Sequence, residues 1–266
     1  MSLFDYLKWS PSLTKLAYNF LYSYLAVKER RANKNELEKI KILKNIHKGK
    51  RCFIIGTGPS LQIKDLEDLK NEYTFAPNRI FELFDKTDWR PTFYMCQDHK
   101  LIKTFKDRIK TIKAQYCFLP ITYKKEFEGR HYRFFVLKEH LYYPGDAQFS
   151  KDVSQYLGQG YTVTYGAIQL AIYMGFSEIY LLGVDHNYSL IRDAKGRPVK
   201  KSLDKVNYTA GMAELMQDLP RIEESTIAYE TAEKVSRKLG AHIYNATRGG
   251  KLEAFSRIDF DSIKKK

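Results

Sequence analysis

Arg51-Cys52-Phe53-Ile54-Ile55-Gly56-Thr57-Gly58-Pro59-Ser60-Leu61 decides the fold. Four apolar residues behind a basic flank read as a short buried strand. Gly-Thr-Gly-Pro-Ser reads as a turn into a helix, because Pro suits the first helical position and Ser a cap. A helix start presents amide hydrogens that lack intrahelical partners, and glycines let an anion approach the backbone. The stretch therefore predicts a nucleotide or phosphate site on Gly56, Thr57, Gly58, Pro59 and Ser60. A third glycine of the dinucleotide fingerprint and the Lys-Ser/Thr of a P-loop are both missing, so a plain tight turn stays open as the alternative.

Further strands follow, each ending in polar residues. Tyr73–Ala76 runs into Pro77-Asn78-Arg79, where Asn78 suits a ribose or base edge and Arg79 a phosphate. Thr92–Cys96 runs into Gln97-Asp98-His99-Lys100, and a helix is expected from about Leu101 to Ile112. Strands are expected at Tyr116–Leu119 and Tyr132–Leu137, inside a less regular region, 121–160, that reads as an insertion or lid.

A second helix and strand unit spans 162–188. Thr164 suits an N-cap, the helix stops at Gly175, and Glu178–Leu182 is an apolar strand leading into Gly-Val-Asp185-His186-Asn-Tyr188. The helix start at Thr164, Tyr165 and Gly166 offers a second set of unpaired amides. Residues 189–207 read as a cationic loop, 209–239 as a broken helix pair, and Ala241–Tyr244 as a last strand before a loop carrying Arg248 and Lys251. Asp259 and Asp261 have the Asp-x-Asp spacing of metal-dependent sugar transferases, placed at a Lys-rich end where chance explains it as well.

Alternating strands and helices of this kind imply an α/β, Rossmann-like, doubly wound and mostly parallel sheet, with ligands at the strand ends. The expected division is an N-terminal helical, aromatic extension over 1–49 and a nucleotide-binding catalytic domain over 50–266. A net charge of +14, from 45 basic and 31 acidic residues, calls for an anionic partner such as nucleic acid, a membrane surface or a phosphorylated substrate. The three cysteines, Cys52, Cys96 and Cys117, lie in apolar or aromatic runs without metal-ligand spacing and read as reduced core thiols. Neither a secretory signal nor a membrane span is expected, which points to the cytoplasm.

Residues 1–27 interleave Leu3, Phe4, Tyr6, Leu7, Trp9, Leu13, Leu16, Phe20 and Tyr24 with Lys8 and Lys15. Such a helix lies on an anionic membrane, packs on the body of the protein, or packs on a second copy of the chain. Residues 28–50 are charged, with Leu37, Ile40, Leu43 and Ile46 at spacings of three, which predicts one buried stripe.

The motifs at 53–61, 77–80, 162–166, 177–185 and 245–252 together resemble the Rossmann-like superfamily that joins MptE-like 6-hydroxymethylpterin diphosphokinases to the sialyltransferases of glycosyltransferase family 42. The resemblance covers about residues 50–255. It implies a cytidine monophosphate sugar held by Gly56, Gly58, Ser60 and Asn78, with the helix start at Thr164–Gly166 facing the donor and Tyr188 assisting the leaving phosphate. The family's general-base histidine would fall near Glu223 and Glu224, where this sequence has no histidine. A carboxylate then serves as base, His186 serves from another loop, or the chemistry differs.

Three functions compete. A glycosyltransferase needs leaving-phosphate stabilisation and a base for the acceptor hydroxyl, with Asp185, His186, Asp98 and Glu223 as base candidates. Its partners are a nucleotide-activated sugar and a saccharide or lipid-linked acceptor of surface polysaccharide or lipooligosaccharide assembly. An MptE-like diphosphokinase uses ATP and magnesium, with Asp98 and Asp185 as metal ligands. A nucleic-acid binder is disfavoured, because the cations are spread and no recognition module is present. A membrane-surface segment at 1–27 suits the first function and has no purpose on a soluble pterin.

Overall fold

The computed structural model describes residues 11–188, 190–192, 198–200 and 220–264. The expected cationic loop (189–207) lies mostly outside these residues, as do the first part of the expected helix pair, 209–219, and Leu3, Phe4, Tyr6, Leu7, Lys8 and Trp9. Two helices, α1 (Pro11–Ala32) and α2 (Lys34–Lys41), precede β1 (Arg51–Ile55), α3 (Ile63–Asp68), β2 (Thr74–Pro77) and β3 (Phe93–Met95). Next come α4 (His99–Thr104), α5 (Lys106–Lys110), β4 (Tyr116–Pro120), β5 (Tyr132–Phe135), β6 (Leu137–Lys138) and β7 (Leu157–Gly158). The chain continues through α6 (Val163–Tyr173), β8 (Glu178–Leu182), β9 (Leu190–Arg192), β10 (Pro198–Lys200), α7 (Ile222–Lys238), β11 (His242–Asn245), β12 (Ser256–Arg257) and α8 (Phe260–Ile263).

Eight strands form one sheet in the order β12-β11-β8-β1-β2-β3-β4-β5, and every pairing in it is parallel. The architecture is Rossmann-like α/β. A parallel sheet covered on both faces needs strands that are apolar throughout, which is why Cys52–Ile55, Phe93–Met95, Cys117–Leu119 and Ile179–Leu182 are all buried. Burial pushes the thiols of Cys96 and Cys117 up to about 12, so both are inert core groups.

Several boundaries differ from the sequence reading for physical reasons. Thr162, not Thr164, caps α6: its extended backbone (φ −148°) lets its hydroxyl accept from the Thr164 amide at 3.3 Å. The helix expected over 101–112 breaks at Phe105, whose φ of −113° ends α4 while its ring packs on Phe81 at 5.6 Å. The stripe of α2 buries Leu37, Ile40 and Leu43 but leaves Ile46 exposed. The helix has already ended there, and left-handed Asn45 (φ 60°) turns the chain so that His47 enters the core instead, stacked on Phe176 at 4.7 Å. The described part of the expected helix pair, α7, is one unbroken helix that packs on α6.

Helix α1 lies against the segment after β6. Asn19 and Leu141 exchange two hydrogen bonds (2.8 and 3.0 Å), Lys15 Nζ donates to the carbonyls of Tyr142 and Tyr143, and Tyr18 donates to Glu139 Oε2 at 2.7 Å. Its other face leaves Leu13, Leu16, Phe20, Leu21, Tyr24 and Leu25 exposed, with Phe20 at 77% and Leu16 at 67%. No helix among the described residues is long and apolar enough to cross a membrane.

Candidate functional site

From β1 the sheet grows one way through β2 to β5 and the other way through β8, β11 and β12, so the winding reverses between β1 and β8. In open parallel sheets the crevice at the carboxyl ends of such a pair is where ligands sit. A cavity of about 870 Å³ opens there. The ends of β1, β2, β3 and β8 contribute Gly56–Gly58, Asn78, Gln97–Lys100 and Gly183–Tyr188, and the start of α6 contributes Thr162–Thr164. The remaining wall comes from Leu137, Glu139, Leu141, Gln159 and Tyr161, with Tyr18 of α1, Arg221, Ser225 and Tyr229.

The glycine turn works differently from its sequence reading. Gly56 donates to the Leu182 carbonyl at 2.7 Å and Gly58 to the Gly183 carbonyl at 2.8 Å, so both amides knit β1 to β8. A Cβ on Gly56 would stand 2.3 Å from the Gly183 oxygen, and one on Gly58 would stand 1.9 Å from Asp185 Oδ2. Both positions need glycine because two backbones touch there. The turn does not enter a helix directly either: α3 starts at Ile63 behind Gln62, so Pro59 is not a first helical residue and Ser60 is not a cap. Ser60 Oγ instead donates to Asp185 Oδ2 at 2.8 Å. Pro59 and Ser60 are not part of the cavity lining, whereas Gly56, Thr57 and Gly58 are.

Backbone strain gathers at this cavity. Among the described residues four non-glycine residues have left-handed φ, and three of them, Asn78 (52°), Tyr161 (54°) and His186 (50°), line it. Such conformations cost about 1–2 kcal/mol each and persist where the surroundings impose them, typically at functional sites. Asn78 is fixed by its amide to the Met95 carbonyl (3.0 Å) and by the Tyr94 hydroxyl on its own carbonyl (2.8 Å). Asn78 Oδ1 and Gln97 Oε1 are buried without a protein partner. Both oxygens are closed off from solvent, and the two side chains line the cavity on neighbouring strand ends, where rotation of either amide would offer its polar atoms to a ligand.

Asp185 is buried beneath the turn, and desolvation raises its pKa above the ordinary carboxylate range, partly opposed by the Ser60 hydrogen bonds. Lys251 donates its amide to the Asp185 carbonyl at 2.7 Å, and Thr247 Oγ1 accepts from Val184, so the 245–252 loop braces this strand end from behind. His186 Nε2 lies 2.8 Å from Thr226 Oγ1. That hydroxyl also lies 2.8 Å from the Ile222 carbonyl, and when it donates there it accepts from a proton on His186 Nε2. Tyr188 lines the cavity edge-on to His186, ring centroids 6.4 Å apart.

The structure places other expected residues elsewhere. Arg79 is buried in an ion pair with Glu82 and over the Phe105 ring at 5.3 Å, outside the lining. Glu223 is exposed on α7 and outside the lining. Tyr165 is buried and donates to the Gln148 carbonyl at 3.1 Å, and Gly166 packs on Met95 and Gln97. Thr164 lines the cavity, and so does Asp98, which caps α4 by accepting from the amides of Lys100 and Leu101. Asp259 caps α8 and Asp261 pairs with Lys264, so the Asp-x-Asp spacing is structural.

Sequence reasoning missed Arg221, Gln97, Lys100, Tyr161, Glu139 and Tyr18 in the lining. Arg221 stacks on Tyr161 at 4.8 Å and pairs with buried Glu224 at 3.0 Å, which holds a guanidinium at the cavity wall. Gln97 and Lys100 belong to a polar strand end already visible in the sequence, while nothing local marks Tyr18 or Glu139.

A family model described as 6-hydroxymethylpterin diphosphokinase MptE-like matches residues 28–190. No curated protein matches this sequence. Among solved structures, the sialyltransferase Cst-I of Campylobacter jejuni, described as a monofunctional alpha-2,3-sialyltransferase, is similar at 12% identity and a TM-score of 0.51, over 82% of each chain. The MAf glycosyltransferase of Magnetospirillum magneticum aligns with 97% of this chain at 16% identity and a TM-score of 0.48. This chain spans 43% of that protein's length. The sialyltransferase CstII of C. jejuni, solved in complex with a substrate analogue, cytidine-5'-monophosphate, aligns at 15% identity and a TM-score of 0.38 over 78% of this chain and 84% of that one.

Proposed function

The chain belongs to the 6-hydroxymethylpterin diphosphokinase MptE-like family, and we propose that it is a glycosyltransferase. It takes a nucleotide-activated sugar, with a cytidine monophosphate sugar as the favoured donor. The sugar passes to a saccharide or lipid-linked acceptor of bacterial surface polysaccharide or lipooligosaccharide assembly, at the cytoplasmic face of a membrane. The carrying observation is the pair of side-chain amides of Asn78 and Gln97, each with an unpartnered oxygen, that line a cavity at the sheet's switch point. These amides suit the base and ribose, and the α6 start with Arg221 and Lys100 suits the phosphate. Cytidine follows from the motif resemblance at 56–60 and 78. The exposed apolar face of α1 supports an enzyme working on a lipid-linked substrate. Asp185, His186 and Tyr188 lie beside the reacting centre in this reading.

The family's own description favours a second reading, an ATP- and magnesium-dependent diphosphokinase acting on a pterin-like molecule. Asp98 and Asp185 both line the cavity, Asp98 Oδ1 accepting from the Lys100 and Leu101 amides and Asp185 Oδ2 from the Ser60 hydroxyl. Among the described residues no group of three metal-ligating side chains comes together.

A thermal-shift screen against cytidine, uridine, guanosine and adenosine nucleotides, with and without magnesium, separates the two. A metal-independent rise in melting temperature with cytidine monophosphate supports the transferase. A rise only with ATP and magnesium overturns it in favour of the kinase.

A further inference from the structure

The cavity wall away from the strand ends carries a carboxylate that no motif marks. Glu139 lines the cavity, half-buried, and its Oε2 accepts from the Tyr18 hydroxyl of α1 at 2.7 Å. Burial, and next the Glu139 hydrogen bond, push the Tyr18 phenol well above its ordinary value, so Tyr18 stays a donor. The pair is held firmly, because Asn19 clamps Leu141 through two hydrogen bonds and Lys15 caps the next two carbonyls. Asp98 Oδ1 is committed to the α4 amides, and Asp185 is tied to Ser60 behind Gly58.

Resting on the glycosyltransferase reading, we propose that Glu139 is the catalytic base for the acceptor hydroxyl and that Tyr18 is its positioning residue. The hydroxyl proton passes to Glu139 Oε1 as the acceptor oxygen bonds to the anomeric carbon. The bond from that carbon to the donor's phosphate oxygen breaks, and its electron pair leaves with the nucleotide. The N-terminal helix is then part of the active site, and the acceptor enters along the wall formed by α1 and residues 137–141.

The test follows release of free nucleotide from cytidine, uridine and guanosine diphospho- or monophosphosugars, with water as the acceptor, alongside the melting shift given by each nucleotide. Expected are a 10²–10⁴-fold slower release in Glu139→Gln, partial recovery in Glu139→Asp, and an unchanged nucleotide-induced melting shift in both. Tyr18→Phe lowers kcat about tenfold with KM unchanged, a split that a merely structural contact would not give. Wild-type release rates in Glu139→Gln, or in Tyr18→Phe should Glu139→Gln fail to fold, overturn the assignment alone. Wild-type protein that neither responds to any nucleotide nor releases one overturns the glycosyltransferase reading, and the assignment with it.

Discussion

Ser60 Oγ donates to Asp185 Oδ2 at 2.8 Å, joining the turn after β1 to the end of β8 across 125 positions of sequence. Around this bond Gly56 and Gly58 donate to the carbonyls of Leu182 and Gly183, so the floor of the cavity is a double strand end locked by backbone and side chain together. Burial of this carboxylate outweighs the hydrogen bonds it accepts from Ser60, which makes it costly to ionise, and that cost has a measurable consequence.

Asp185 has its pKa raised by burial, so the folded chain binds its proton more tightly than the unfolded chain does. The stability tied to this proton is present below the ordinary carboxylate range and is lost as pH rises through the raised value. Asp185→Asn keeps an acceptor for Ser60 and removes the charge. The variant is expected to melt above wild type at pH 7, with the gap closing as the medium is acidified below the carboxylate range. Melting curves across pH check this, and equal melting temperatures at pH 7 contradict it.

Gly58→Ala forces a Cβ against Asp185 Oδ2 and within 2.6 Å of the Gly183 carbonyl. Overpacking of this kind costs about 1–3 kcal/mol. Urea unfolding should show that loss, whereas Gly249→Ala, where a Cβ meets nothing within 4 Å, is expected to cost less despite its left-handed φ of 67°.

Asn78→Gly separates backbone from side chain. Glycine accepts φ 52° without strain, so folding stability should hold within about 1 kcal/mol, while the side-chain amide at the cavity is gone. Calorimetric titration with cytidine monophosphate is expected to show affinity lower by about tenfold or more, the worth of one hydrogen bond to a buried group. Undiminished affinity removes Asn78 from the ligand contacts.

Leu16→Ser combined with Phe20→Ser should leave the melting temperature unchanged, since both side chains are exposed. Each substitution should weaken sedimentation with phosphatidylserine-containing vesicles about tenfold, from roughly 1–2 kcal/mol of lost apolar burial per residue. Binding by the wild type should also fall with added salt. Undiminished vesicle binding by the double variant excludes this face as the membrane contact.

Much of the sheet is legible in the sequence because strands buried on both faces must be apolar along their whole length. Phe53–Ile55, Phe93–Met95 and Ile179–Leu182 announce themselves for that reason. The strand ends are legible too, since Asn78, Gln97 and Asp185 interrupt apolar runs. The purpose of the glycines is not: Gly58 reads the same whether a phosphate or the backbone of Gly183 comes close. Arg79 misleads because a cation after a strand has no local sign that Glu82, three residues on, will engage it. Tyr18 and Glu139 are invisible because residues 121 positions apart meet only through the path of α1, which no periodicity encodes.

Helix α1 is bound on one side to the wall of the cavity and bare and greasy on the other. Cutting the helix away would strip Tyr18 from Glu139 in the same stroke as any membrane footing, so an inactive truncation says nothing about where in the cell the protein works. A lever seated this way also carries force inward. With Glu139 as the base, a contact that shifts α1 at Phe20 would reach it through Tyr18, and turnover of even a fully water-soluble acceptor should then respond to lipid or detergent.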